Sequence, residues 1–159
     1  MMKFFEHKIE GYDYLKNGLE YLFNVYINFD LIIVLLKEKI ITGKTLIIDY
    51  PLITYIFELN DFVDTLDDKS SLEKMKLFIK LCLDSGGDIN SIDSDNEIVY
   101  QMIFEYVSED FFGEIVNNYN LDYGKNIYYN KHFIEYIKKN HSQEYKKYMR
   151  QQKAKKFNL

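Results

Sequence analysis

One cysteine, one proline, one alanine and no tryptophan in 159 residues narrow the reading before any motif is considered. A lone Cys82 excludes an internal disulfide, and with it a disulfide-held scaffold. It stands at an apolar helix position, where a free thiol behaves as a small hydrophobe, so a buried structural role is expected. The longest uninterrupted apolar run, Leu31 to Leu36, is six residues, far short of the roughly 20 needed to span a bilayer. The opening Met1-Met2-Lys3-Phe4-Phe5-Glu6-His7 has no apolar stretch of signal-peptide length. These features lead to the expectation of a soluble, cytoplasmic protein, with residues 1–159 forming a single domain and a real core. Without tryptophan, fifteen Tyr and twelve Phe supply the bulky core volume. Because so many hydroxyls need partners when buried, several tyrosines are expected at the surface.

Positive charge is also missing where it would matter most. From Leu81 to Gly124 there is no Lys or Arg against ten acids: Asp84, Asp88, Asp93, Asp95, Glu97, Glu105, Glu109, Asp110, Glu114 and Asp122. Such a field favours basic partners. The tail from Lys146 to Lys156 reverses the balance with Lys146, Lys147, Arg150, Lys153, Lys155 and Lys156 and no acid. A basic run at a helix end complements the helix dipole, and the same run offers a nucleic-acid surface as an alternative.

Apolar spacing predicts an all-α chain. Leu15, Leu19, Leu22 and Phe23 fit a helix over Tyr12 to Val25. Leu31, Ile32, Leu35 and Leu36 predict a second, with Asn28 or Asp30 as its cap. Lys39 to Tyr50 is a loop with some extended character, and Pro51 suits the first turn of a helix from Leu52 to Leu59. Ser70 or Ser71, with Glu73 close behind, predicts a capped start for a helix from Leu72 to Asp84. Phe78, Ile79, Cys82 and Leu83 share one face of it, and Phe111, Phe112, Ile115 and Val116 repeat that pattern. Helices over Ile98 to Val107, Lys131 to Lys139 and Ser142 to Lys155 complete the chain. Between the apolar runs Leu77 to Leu83 and Ile98 to Phe104 lies a polar turn cluster, Gly86 to Asn96, in which Gly86 stops the helix before it.

The run Leu81-Cys82-Leu83-Asp84-Ser85-Gly86-Gly87-Asp88-Ile89-Asn90, with Asp93 three residues on, resembles the junction of the ankyrin-repeat family. There a second helix ends in Gly-Ala-Asp-x-Asn and the next repeat opens with Asp-x-x-Gly-x-Thr-Pro-Leu-His. Asn96 stands at the glycine of that opening, a position Asn also tolerates. Tyr50-Pro51-Leu52 stands at an earlier Thr-Pro-Leu, and Thr65 to Lys69 is then an insertion, since Pro51 and Val99 are 48 residues apart against a regular repeat of about 33. The family's alanine pair falls on Ile103 and Phe104. The resemblance implies stacked antiparallel helix pairs in a short solenoid of three to four irregular repeats, with helices further apart than usual.

No constellation argues for catalysis or a cofactor. Thr42-Gly43-Lys44-Thr45 is similar to the end of a phosphate-binding loop, but Glu38 occupies the required first glycine. His7, His132 and His141 lie in three separate segments without zinc-site spacing. No basic residue or helix start activates Cys82. What remains is surface. The resemblance places the binding face on Ser94, Asp95, Glu97, Glu105 and Tyr106, with Asp49, Phe57 and Glu58 beside them, and Tyr100 or Tyr106 as aromatic anchors. The expectation is a monomeric, non-enzymatic, membrane-free interaction module that docks a basic protein. By analogy of charge and fold it is expected to be a bacterial immunity protein neutralising a nuclease toxin. A viral inhibitor of a host nucleic-acid enzyme, or a nucleic-acid-associated protein acting through the tail, are the alternatives.

Overall fold

The structure, a computed structural model, describes residues 29–47, 50–58, 69–125 and 129–156. The expected helix over Tyr12 to Val25 and most of the expected insertion, up to residue 68, lie outside them. The described residues are mostly helical: α1 (Phe29–Lys37), α2 (Leu52–Glu58), α3 (Lys69–Asp84), α4 (Val99–Met102), α5 (Glu109–Val116), α6 (Lys131–Asn140) and α7 (Ser142–Lys156). The two-residue strands β1 (Leu46–Ile47) and β2 (Tyr50–Pro51) pair antiparallel, Leu46 opposite Pro51 and Ile47 opposite Tyr50. Helix α1 packs on α3, α2 touches α3 and α4, and α6 packs on α7.

Two of the apolar stripes are buried as their spacing predicts: Phe78, Ile79, Cys82 and Leu83 on α3, and Phe111, Phe112, Ile115 and Val116 on α5. On α1 the stripe is turned by one position. Ile32, Ile33 and Leu36 are buried, while Leu31 and Leu35 are only half-buried. An all-apolar run carries no polar residue to mark its outer face, so only packing on α3 decides which side turns inward.

Helix starts differ as well. Ser70 and Ser71 lie inside α3, which begins at Lys69, so neither is its cap. Asp30 is likewise inside α1, where its carboxylate pairs with Lys74 of α3 at 2.8 Å. Pro51 closes β2 rather than opening α2, and its carbonyl accepts a bond from Thr54 Oγ1 at 2.8 Å. The expected helix over Ile98 to Val107 changes type midway. From Ile103 to Val107 the backbone is a π-helix, ending where Ser108 N donates to Ile103 O at 3.1 Å. Ser108 is extended and caps α5, its Oγ accepting from Phe111 N at 3.3 Å.

The central junction closes as a helix stop. Gly86 has φ +99°, and Gly87 N donates to Cys82 O at 2.8 Å. Asn96 stands at φ +64°, completing a tight finger in which Asp93 Oδ1 accepts from Asp95 N at 3.0 Å and Glu97 N at 2.7 Å. Ile92 and Ile98 form a bridge at its base.

The core of the carboxy-terminal half is aromatic. Tyr100 is fully buried, and its hydroxyl donates to Asp122 O at 3.0 Å and lies 2.9 Å from the Tyr129 hydroxyl. Phe133 lies under both Phe104 and Phe112, with ring centroids 5.3 Å apart in each case. These edge-to-face rings take the place of the close helix contact that an alanine pair would allow at Ile103 and Phe104.

Cys82 is fully buried, and burial pushes its thiol pKa up. Maleimide should therefore label the native protein no faster than global opening permits, while Cys82→Ala should cost about 1–2 kcal/mol as a small cavity. Rapid native labelling would contradict this placement.

Candidate functional site

The finger after α3 delivers Ser94 and Asp95 to its exposed tip and Glu97 to its half-buried base. The π-helix delivers Glu105 and Tyr106 beside them. Tyr106 donates its hydroxyl to Glu97 Oε2 at 3.3 Å, which joins the two segments. Four of the expected residues, Asp95, Glu97, Glu105 and Tyr106, thus fall on one patch, with Ser94 at its edge.

The others are placed differently. Phe57 is buried, 7% exposed, beneath Tyr106 at a ring distance of 6.4 Å, so it supports the patch rather than presenting itself. Tyr100 is a correction. With no exposed surface and its hydroxyl bonded inside the protein, it is a core residue and cannot serve as a surface anchor. It is buried because α4 is covered on all sides, Val99, Gln101 and Met102 being buried as well. Asp49 lies outside the described residues, as does the side chain of Glu58.

The patch is electrostatically strained. Burial, then Asp93, then Asp95 hold the Glu97 carboxyl above the usual carboxylate range, with the Tyr106 hydroxyl pulling the other way. Burial and then Glu97 do the same to Glu105, opposed by Asn130, Gln101 and His132. A carboxyl whose pKa is raised on folding contributes stability only at low pH, and loses it as pH rises through the folded value. Glu97→Gln and Glu105→Gln should therefore each raise Tm at pH 7. The gain should vanish below about pH 4, where the ordinary Glu pKa of ~4.3 leaves both states protonated. A Tm lowered by both substitutions at pH 7 would contradict the strain.

Sequence reasoning missed the side of the patch beyond Glu105. Here a groove of about 530 Å³ is lined by Phe104, Glu105, Val107, Ser108, Glu109, Asn130 and His132. His132 Nε2 lies 2.7 Å from Glu109 Oε1, and its ring stands 5.3 Å from that of Phe104. Asn130 caps α6 by accepting from His132 N at 2.7 Å, which fixes where the imidazole begins. His132 and Glu109 are 23 positions apart, so no local pattern could pair them.

Other features with a chemical reading are used internally. In Thr42-Gly43-Lys44-Thr45, Gly43 N donates to Ser85 Oγ at 2.8 Å and Thr42 N to Thr45 Oγ1 at 3.0 Å, so these amides form no anion cradle. Along α7, Lys147 donates to Asn120 Oδ1 at 2.6 Å and Gln152 to Tyr123 O at 2.7 Å. Gln151 accepts from Tyr123 N at 2.9 Å, and Lys155 donates to Lys125 O. Two of the six basic residues of the tail, Lys147 and Lys155, thus clamp the loop before α6, while Lys146, Arg150, Lys153 and Lys156 stay exposed. Among the described residues, no group of three or more His, Cys, Asp or Glu is placed to hold a metal. None of the described helices is long and apolar enough to cross a membrane.

No family model, curated protein or solved structure matches this chain.

Proposed function

We propose that this protein is a non-enzymatic interaction module, a short and irregular ankyrin-like stack of helix pairs that binds a basic protein through its acidic face. One observation carries the proposal: Asp95, Glu97, Glu105 and Tyr106 share one patch, tied by the 3.3 Å bond from Tyr106 to Glu97, where burial first and neighbouring acids second hold the Glu97 and Glu105 carboxyls above the usual carboxylate range. Repulsion of this kind costs folding stability, and a cationic partner is the simplest thing that relieves it. Tyr106, 37% exposed and set among these carboxylates, is the aromatic anchor of the face.

An immunity protein that neutralises a basic toxin is the most concrete form of this role. An inhibitor of a nucleic-acid enzyme would use the same surface. The second reading, nucleic-acid binding through α7, is favoured by the exposed row Lys146, Arg150 and Lys153, which the i, i+4, i+7 spacing puts on one helix face.

Fluorescence anisotropy separates the two. A labelled arginine-rich peptide should bind, more weakly as salt rises, and a labelled single-stranded oligonucleotide should not. Oligonucleotide binding without peptide binding would replace the acidic face with the tail.

A further inference from the structure

The groove beside the patch has features that a general acidic surface does not. No Lys or Arg lines it, while Glu105 and Glu109 both do. The neighbouring Lys131 lies 3.8 Å from Glu135 on the exposed side of α6. Asn130 and Gln101 hydrogen-bond the Glu105 carboxyl, but its Oε1 is buried with no partner of its own. An acceptor removed from water and left unpaired is costly, and it is a place where an incoming donor gains most. Glu109 gives Oε1 to His132, which leaves its other carboxylate oxygen as an acceptor for a ligand. The two acids reach the groove from opposite sides of extended Ser108, because the π-helix ends and α5 begins there. The exposed ring of His132, resting on the buried Phe104 ring at 5.3 Å and tilted 39° to it, supplies the aromatic surface.

Resting on the basic-partner reading above, we infer that this groove receives one arginine side chain of the partner. Two carboxylates held apart need a donor that spreads its N–H groups in a plane, and a guanidinium does this where an ammonium offers a point charge. A planar cation also stacks on an aromatic wall, which a hydrated lysine head does less well. The volume, about 530 Å³, lies within the range of small-ligand clefts and admits an arginine with its flanking backbone.

Titrating N-acetyl-arginine amide into the ¹⁵N-labelled chain, with N-acetyl-lysine amide as the control, tests the assignment. Saturable shifts are expected at the amides of residues 105–109 and 130–132. The lysine compound should bind several-fold more weakly, and Glu105→Gln should weaken the arginine compound about tenfold. Glu109→Gln, on the far side of Ser108, serves as an independent second variant. Shifts that spread along the acidic finger without saturating, or that are unchanged in both variants, would overturn the groove. A hexa-arginine peptide distinguishes the two levels of the claim. If it binds the wild type and both groove variants equally but not Asp95→Lys/Glu97→Lys, the arginine site is wrong while the acidic face stands. If it does not bind the wild type at all, both are wrong.

Discussion

Replacing Gly43 with alanine is expected to cost at least about 3 kcal/mol, the upper end of what overpacking usually does. A Cβ at Gly43 would fall inside van der Waals contact with Cys82 O and Gly87 N, and only 2.7 Å from Gly87 Cα. All three are backbone atoms of the turn that ends α3, so no side chain can rotate away to make room. Retreat of the Gly43 segment would also break the bond from Gly43 N to Ser85 Oγ, 2.8 Å long. Gly87 N is itself committed to Cys82 O in closing the helix. For a chain of this size such a loss lowers Tm by about 6–12 °C, measurable by circular dichroism. Lys44→Ala is the control, since an exposed side chain next door should change stability by no more than ~0.5 kcal/mol. A Gly43→Ala protein melting within about 2 °C of wild type would mean that the turn does not pack on α3 as described.

The residues of that turn show where sequence reasoning reaches and where it stops. Thr42-Gly43-Lys44-Thr45 looks like part of a nucleotide site because glycine, lysine and threonine have a known use together. Nothing local reveals that its glycine is required by the approach of a helix end some 40 residues later. Gly86 and Asn96, by contrast, were legible because each answers a local demand for positive φ at a position fixed by neighbouring apolar runs. The stripes on α3 and α5 were legible because charged and polar residues mark the outward side. Leu31 to Leu36 has no such residues, and its inward face differs by one position from the expected one.

The acidic patch divides in the same way. Asp95, Glu97, Glu105 and Tyr106 come from two segments that meet through the Tyr106–Glu97 hydrogen bond, and the ten acids from Leu81 to Gly124, a stretch with no Lys or Arg, announce them. Tyr100 was misplaced because a tyrosine in an acidic stretch looks like an interface residue. The hydroxyl partners that let it be buried, Tyr129 and the Asp122 carbonyl, come from the connection between α5 and α6, more than 20 residues on. The π-helix was not legible at all. It decides where Glu105 stands relative to Glu109, so the groove could not be anticipated either.

Reversing Asp95, Glu97 and Glu105 to lysine should cut the association rate with a basic partner by about tenfold or more, in line with typical electrostatic steering. The three residues contribute a change of six charge units to a patch where burial, and after it like charges, already raise two carboxyl pKa values. Long-range attraction governs encounter, so the effect falls on association and fades as salt screens the field. Tyr106→Ala acts at short range and should appear chiefly in the dissociation rate. Tyr100→Ala should instead cost about 3–5 kcal/mol of stability, as for other large buried aromatics.

Surface plasmon resonance against an immobilised arginine-rich peptide, at low and at physiological salt, puts the acidic face to its most direct test. The wild-type chain should associate quickly at low salt and more slowly at physiological salt, and the triple reversal should lose most of the low-salt rate while keeping its helical spectrum. An association rate untouched by the triple reversal, together with binding abolished by substituting Lys146, Arg150 and Lys153, would show that the acidic face is a solvated edge and that the tail is the working surface.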